Sequence, residues 1–296
     1  MFERKALVLD IDGTLTNSKK EITPKTAEAI RGIMKAGHAL ILASGRPTPG
    51  MRRYERELEL GKYGGYLLSF NGARIIDCKS QDVILQRTLP KNIPGEVYEF
   101  AREKEAGIIS YYLGENREDY EARGKSLEKK GIDPKGSYVL SAFEPDDYIL
   151  LEARINGLQV ITVYDFEEFI NYPVNKCLIT APGMLAAGYE KELIARYGDT
   201  LSIYRSEEFF LEAMPYKVSK AYSLDSILDK IGVKRENTVC CGDGFNDISM
   251  IKYAGVGVAM ANAREEVRKE ADFVTGSNDE DGLVEVIDRF IMRGEK

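Results

Sequence analysis

The sequence predicts an α/β fold: a doubly wound, Rossmann-like parallel sheet that carries an inserted α+β domain. Three observations predict it. Short runs that are apolar throughout recur along the chain, as strands buried on both faces of a parallel sheet do. Helix-spaced segments separate them and give a strand–helix–strand rhythm. That rhythm breaks near residue 82 and resumes near residue 214, in a chain whose 296 residues exceed the usual single core. The expected domains are 1–81 with 214–296, and 82–213 between them.

Ala6–Leu9 reads as the first strand, and Asp10 and Asp12 follow it directly. Residues two apart in extended chain point the same way, and Gly13 then permits a sharp turn. Both acids are therefore expected at the carboxyl end of a buried strand, where open α/β sheets place ligands. Thr23-Pro24 is an N-cap with proline at the first helical position. Ala27, Ile30, Ile33 and Met34 keep helical spacing, and Gly37 closes the helix. Strand Ala39–Ala43 ends in Ser44-Gly45-Arg46, and Tyr66–Leu68 ends in Ser69-Phe70-Asn71-Gly72.

Beyond the insertion come a helix over Ser223–Ile231 and a strand over Thr238–Cys241. That strand runs into Gly242-Asp243-Gly244-Phe245-Asn246-Asp247. Helix Ile248–Ala254, strand Val256–Met260, helix Arg264–Ala271, strand Phe273–Thr275 and a helix near Leu283–Met292 follow. Within the insertion, Val83–Leu89, Ile108–Leu113, Tyr148–Ile155, Leu158–Tyr164 and Cys177–Thr180 read as strands. Arg117–Lys130, Ala186–Tyr197 and the stretch after Pro94 read as helices. The expectation there is a mainly antiparallel α+β domain.

Composition narrows the function. The chain is 44% hydrophobic and 30% charged, with no apolar stretch of membrane-spanning length and no signal-peptide apolar region at its start. A net charge of −7 without a dense basic tract argues against nucleic acid as a partner. Cys78, Cys177, Cys240 and Cys241 fit neither a zinc pattern nor a disulfide framework, so a reducing cytoplasm is the expected setting. The single histidine, His38, sits between a helix and a strand and reads as structural. Acid–base chemistry must then rest on carboxylates or lysine.

Asp-x-Asp-Gly alone is readable as an exposed turn or part of a calcium loop. A calcium loop beginning at Asp10 would place Leu15 where glycine is required, after a strand rather than a helix. Asp243 and Asp247, on a glycine-bracketed loop after another buried strand, add two carboxylates. If the two strands are neighbours, the acids converge and raise one another's pKa, a conflict that a magnesium ion resolves. The alternative is that Asp243 and Asp247 only cap the following helix. Ser44 and the backbone around Gly45 can hold phosphate oxygens at a neighbouring strand end. Lys217 and Lys220 are readable either as fixed charges for such a group or as solvated surface residues.

Four motifs in order carry a resemblance: Asp10-Ile11-Asp12-Gly13-Thr14-Leu15-Thr16, Ser44-Gly45-Arg46, Lys220, and Gly242 through Asp247. With Asn71-Gly72-Ala73, Glu212–Lys220 and the tail through Val258–Ala263, the chain resembles the haloacid dehalogenase superfamily, in its Cof-type branch of magnesium-dependent sugar phosphatases. The insertion lies between Ser44 and Lys220, where that branch carries an α/β cap.

The resemblance implies Asp10 as the nucleophile that forms an aspartyl-phosphate, and Asp12 as acid and then base. It implies Mg²⁺ on Asp10, the Asp12 backbone carbonyl and Asp243, with Asp247 in support. Ser44, Gly45, Lys220 and Asn246 are implied to hold the phosphoryl group. Arg46, Asn71 and Lys217 are expected beside the leaving group on the core side, and Tyr111 and Tyr112 on the cap side, with cap–core packing as the alternative role for at least one of the two tyrosines. The branch usually reads Lys-Gly-Val-x-Lys-Gly where this chain has Tyr216-Lys217-Val218-Ser219-Lys220-Ala221. The loop before Lys220 is thus expected to differ. The implied function is a phosphatase of small phosphorylated metabolites, sugar phosphates foremost. A phosphomutase or phosphotransferase and a non-catalytic sugar-phosphate sensor are the alternatives. Monomer and dimer are both left open.

Overall fold

The computed structural model describes residues 3–292. The chain divides into two units, one of Met1–Leu85 with Ser219–Lys296 and one of Gln86–Val218. The first unit opens with strands β1 (Ala6–Leu9), β2 (Ala39–Ala43), β3 (Tyr66–Ser69), β4 (Arg74–Asp77) and β5 (Val83–Gln86). The inserted unit supplies β6 (Gly107–Leu113), β7 (Ser137–Ser141), β8 (Gln159–Thr162), β9 (Cys177–Thr180), β10 (Leu201–Glu207) and β11 (Phe210–Pro215). The chain then returns through β12 (Thr238–Gly242), β13 (Val256–Ala259) and β14 (Phe273–Val274).

The core sheet runs β14-β13-β12-β1-β2-β3-β4-β5. It is parallel from β14 through β3, and β4 pairs antiparallel with β3. The apolar runs reflect burial on both faces. Leu7 and Leu9 pack with Leu40, Leu42 and Val239 on one side, and Ala6 and Val8 with Ala39, Ile41 and Cys240 on the other. Leu9 lies level with both Leu42 and Cys241. The residues that leave β1, β2 and β12 therefore emerge side by side at one edge.

The inserted sheet runs β10-β11-β9-β6-β7-β8 and is antiparallel except where β7 meets β8. One face packs Ile108, Tyr112, Leu140 and Ile179 against Phe100 and Leu193.

Two expectations for the insertion need correction. Tyr148–Ile155, expected as a strand, lies inside the helix Asp147–Asn156. Its buried residues Ile149, Glu152, Ala153 and Asn156 recur at helical spacing. Asp146 caps it by accepting from the Ile149 N–H at 2.7 Å, and Gly157 ends it at φ 65°. Val83 does not begin the insertion either. A hairpin closed by Asp77 N–H to Asp82 O at 3.0 Å returns the chain, so β5 becomes the edge of the core sheet.

Candidate active site

The site is assembled where β1, β2, β3 and β12 end. Asp10 continues β1, and its N–H donates to Cys241 O at 3.0 Å. Its Oδ1 accepts from Lys220 Nζ at 2.6 Å, and the same ammonium donates to Asp247 Oδ1 at 2.6 Å. Lys220 is fully buried at the start of the helix Lys220–Leu228. Ser219 caps that helix by accepting from the Tyr222 N–H at 3.2 Å. The lysine is therefore a fixed internal cation and not a solvated one.

Asp247 has two jobs. Its Oδ2 accepts from the N–H groups of Asp243 and Gly244 at 3.0 and 2.9 Å, so it does brace its own loop. Its Oδ1 remains turned to Lys220. Asp243 lies alongside, with its Oδ1 accepting from the Thr14 hydroxyl at 2.8 Å. Gly13 makes this approach possible: it holds φ 89°, and a Cβ there would stand 2.3 Å from Asp243 Oδ2. Carboxylate oxygens of Asp10, Asp243 and Asp247 lie within 4.8 Å of one another, a group that could hold a metal ion.

The electrostatics are unbalanced, with one ammonium serving three carboxylates. Burial, and then the Asp247 charge, push Asp10 well above the ordinary carboxylate range despite Lys220. Burial pushes Asp243 up to about 6, against the Thr14 hydrogen bond. Burial disfavours the charged form of Lys220, but its two carboxylate partners outweigh that and raise it further.

Asp12 stands apart. Arg46 Nε donates to its Oδ2 at 2.7 Å and the Arg46 Nη2 to its Oδ1 at 2.9 Å, a two-pronged pair. Lys20 Nζ adds a third bond to Oδ1 at 2.9 Å. Burial pushes Asp12 up, yet the bonds and charges of Arg46 and Lys20 outweigh it and bring the carboxyl down to about 2.

A third group surrounds Asn71. The turn after β3 holds Phe70 and Asn71 at φ 51° and 52°, fixed by Phe70 N–H to Arg46 O and Asn71 N–H to Ser44 O, both 2.9 Å. Asn246 Nδ2 donates to Asn71 Oδ1 at 3.1 Å. A Cβ at Gly45 would come within 3.2 Å of the Asn71 amide. The structure thus brings Ser44, Gly45, Asn71 and Asn246 together.

Three expected residues lie in the inserted unit. Lys217 is exposed, with its ammonium 5.2 Å from the Tyr216 ring centroid. It holds φ 58° at the position where the related pattern has glycine, so the left-handed turn survives without one. The expectation for Tyr111 and Tyr112 as substrate contacts is corrected, because both rings are buried and both hydroxyls are engaged. Tyr111 donates to Glu152 Oε1 at 2.5 Å, while Tyr112 donates to Pro134 O at 2.7 Å and stacks on Tyr138. Two residues escaped the reading of the sequence. Thr14 lay in plain view within the first motif, but its partner is 229 residues away. Lys20 carried no signal, since only the folded turn aims it at Asp12.

The sequence model for the haloacid dehalogenase-like hydrolases matches residues 7–287. A haloacid dehalogenase-like hydrolase from Bacteroides thetaiotaomicron superposes with a TM-score of 0.84 at 39% identity, covering 97% of this chain and 99% of that one. The subclass IIB sugar phosphatase BT4131 superposes with a TM-score of 0.76 at 26% identity, over 97% and 98% of the two chains. YitU of Bacillus subtilis, a 5-amino-6-(5-phospho-D-ribitylamino)uracil phosphatase, is 25% identical over 96% of each chain. With carboxylates and a buried lysine gathered at the strand ends and a family match across nearly its whole length, the chain belongs to the haloacid dehalogenase-like hydrolases and is a phosphatase, a phosphoric monoester hydrolase.

Proposed function

We propose that the chain is a Mg²⁺-dependent phosphatase of small phosphorylated metabolites, sugar phosphates foremost. The observation that carries this is the excess of carboxylate around Lys220. Asp10, Asp243 and Asp247 crowd one another in a buried place that a single ammonium does not neutralise. Such a group fits a hard divalent cation, whose oxygen ligands come from separated parts of the chain. Asp10, Asp243 and Asp247, with the Asp12 backbone carbonyl, would hold it. When bound, the ion supplies charge neutralisation for the carboxylates and the incoming phosphate.

In this reading an Asp10 oxygen attacks phosphorus. The ester oxygen leaves with a proton from Asp12, and an aspartyl-phosphate remains. Water then attacks that phosphorus and passes its proton to Asp12, which frees phosphate and Asp10. Lys220 steadies the charge that spreads over the phosphoryl oxygens, and Ser44, the backbone at Gly45 and Asn246 bind them. Asp12 as found, ionised by Arg46 and Lys20, is ready to act as the base. To act as the acid it must first gain a proton, which requires the phosphate dianion to draw Arg46 partly away. Arg46, Asn71 and Lys217 are the residues proposed to meet the leaving group.

The inserted unit, Gln86–Val218, is proposed to act as a cap that selects the substrate. A sugar phosphatase and a ribityl-phosphate phosphatase among the similar proteins support a small polyol or sugar ester. Among the described residues no helix is long and apolar enough to cross a membrane. Four free, buried cysteines support a reducing, cytoplasmic setting. The test is phosphate release from a panel of phosphorylated metabolites, with Mg²⁺ and with EDTA. Release that is indifferent to EDTA, or an Asp10→Asn protein as fast as the parent, would overturn the reading.

A further inference from the structure

The loop between β1 and the helix Pro24–Lys35 carries a charge outside the four motifs, and it is built to aim that charge. Asn17 Oδ1 accepts from the N–H groups of Lys19 and Glu21, each at 3.0 Å. Asn17 N–H donates to Glu21 O, and Lys20 N–H to Asn17 O, both at 2.9 Å. The turn closed in this way forces Lys20 to φ 62°. That region is disfavoured for a residue with a Cβ. Arg53 fixes the peptide from the other side by donating to Lys20 O at 2.5 Å. Ser18 ties the loop down through Asp279, its N–H donating to Oδ1 at 2.8 Å and its hydroxyl to Oδ2 at 2.6 Å. From this frame the Lys20 side chain reaches Asp12 Oδ1 at 2.9 Å.

Stability alone does not account for the arrangement. The Lys20 side chain is 55% exposed, and an ion pair so open to water contributes little to folding. The strained backbone offsets even that. What the pair does achieve is a second hold on Asp12, independent of Arg46. The Arg46 guanidinium spans both Asp12 oxygens, leaning on β2 and the turn after it, whereas Lys20 grips one oxygen from the opposite segment of chain.

We infer that Lys20 is a positioning residue for Asp12, keeping the carboxyl group in place when Arg46 turns toward an incoming phosphate ester. The inference rests on the acid–base role proposed for Asp12. With Arg46 engaged elsewhere and no Lys20, the Asp12 side chain is free to rotate, and proton transfer needs a placement within hydrogen-bond reach. Lys20 itself touches no reacting atom.

The experiment uses the full chain with Mg²⁺ and p-nitrophenyl phosphate and compares the parent, Lys20→Met, Lys20→Arg, Asp12→Asn and Asp12→Asn/Lys20→Met proteins. Lys20→Met is expected to lower kcat about 10-fold, a fraction of what acid–base catalysis supplies, with KM and the urea midpoint unchanged. Lys20→Arg is expected to return kcat to within about 2-fold, because it keeps a long cationic donor. In the Asp12→Asn background the Lys20→Met change is expected to do nothing further. An unchanged kcat in Lys20→Met, a rise in KM alone, or an equal loss in the Asp12→Asn background would overturn the inference while leaving the acid–base reading intact. An Asp12→Asn protein as fast as the parent would remove the reading itself, and the inference with it.

Discussion

Each unit of the molecule buries a lysine against carboxylates, and the two are built to opposite ends. In the core unit Lys220 is fully buried, donates to Asp10 and Asp247, and has Asp243 close by. In the inserted unit Lys176 is equally sequestered and pairs with Glu212 at 3.0 Å. Tyr204 donates to the other Glu212 oxygen at 3.2 Å, and the Tyr111 ring lies 5.5 Å from the ammonium. The second arrangement pairs one ammonium with one carboxylate, and a tyrosine hydroxyl, that of Tyr111, takes up the nearby Glu152. The first leaves negative charge in excess. A buried ion pair that is complete is a piece of architecture. One that is over-supplied with carboxylate is a place prepared for something positive.

That contrast can be broken first at Asp10. Asp10→Asn is expected to cost at least about 10³-fold in phosphate release and to leave the fold in place, since on the proposed mechanism it removes the attacking oxygen but not the shape. Circular dichroism beside the activity assay would show a failure in either part. Lys220→Met is expected to cost about 10²–10³-fold in kcat, as loss of a fixed charge at a developing anion does. Lys176→Met should behave in the reverse way. It strands Glu212, so unfolding by urea is expected about 3–5 kcal/mol earlier. At a temperature where the variant is still folded, kcat should be unchanged. Replacing both partners, Lys176→Met with Glu212→Leu, should recover much of that stability. A large kcat defect in Lys176→Met would show that the two clusters are not so different after all.

Metal removal sharpens the same comparison. EDTA is expected to abolish turnover while leaving the molecule folded, and Mg²⁺ to raise its melting temperature. Because Asp243 is pushed up to about 6, protons compete for it below that point. The Mg²⁺ concentration for half-maximal activity is therefore expected to rise at least about tenfold for each pH unit below 6, because Asp10, also pushed up, takes a proton in the same direction. A flat dependence between pH 5 and 7 would mean that Asp243 is not a ligand. The smallest effect concerns the cysteines beside each cluster. Burial pushes Cys177, next to Lys176, up to about 12, and pushes Cys240 and Cys241 up as well. Iodoacetamide at pH 8 should label none of them in the folded protein, which peptide mass spectrometry would check.

The two clusters also differ in how legible they were. Asp10, Ser44, Asn71 and Asp243 stand at strand ends that are readable because a parallel strand buried on both faces leaves an unbroken apolar run. Lateral pairing of β12 with β1 then brings Asp243 to Asp10. The insertion carries weaker local signals. Tyr-Ile-Leu-Leu reads locally as strand, and only its cap residues and the spacing of Ile149, Glu152, Ala153 and Asn156 make it a helix. Adjacent tyrosines at 111 and 112 must face opposite sides of β6, yet pattern alone does not tell which partners await each ring. Lys20 was invisible because its importance depends on a turn geometry that no periodicity encodes.

The order of strands has a consequence for how the molecule is made. β1 is made before the other described strands, but it lies between β2 and β12 in the sheet, and the Lys220 partner of Asp10 is 210 residues further along. At about 5–20 residues per second, a ribosome needs roughly 10–40 s to cover that distance. During that interval one side of β1 has no neighbour, and the nascent chain presents an apolar edge open to foreign strands. The inserted unit, contiguous from Gln86 to Val218, can finish folding within the same wait. Chaperone occupancy on nascent chains should then peak before β12 emerges and fall once it docks. The charge cluster around Asp10 is thus complete only after the chain has passed through the inserted unit to Lys220 and β12.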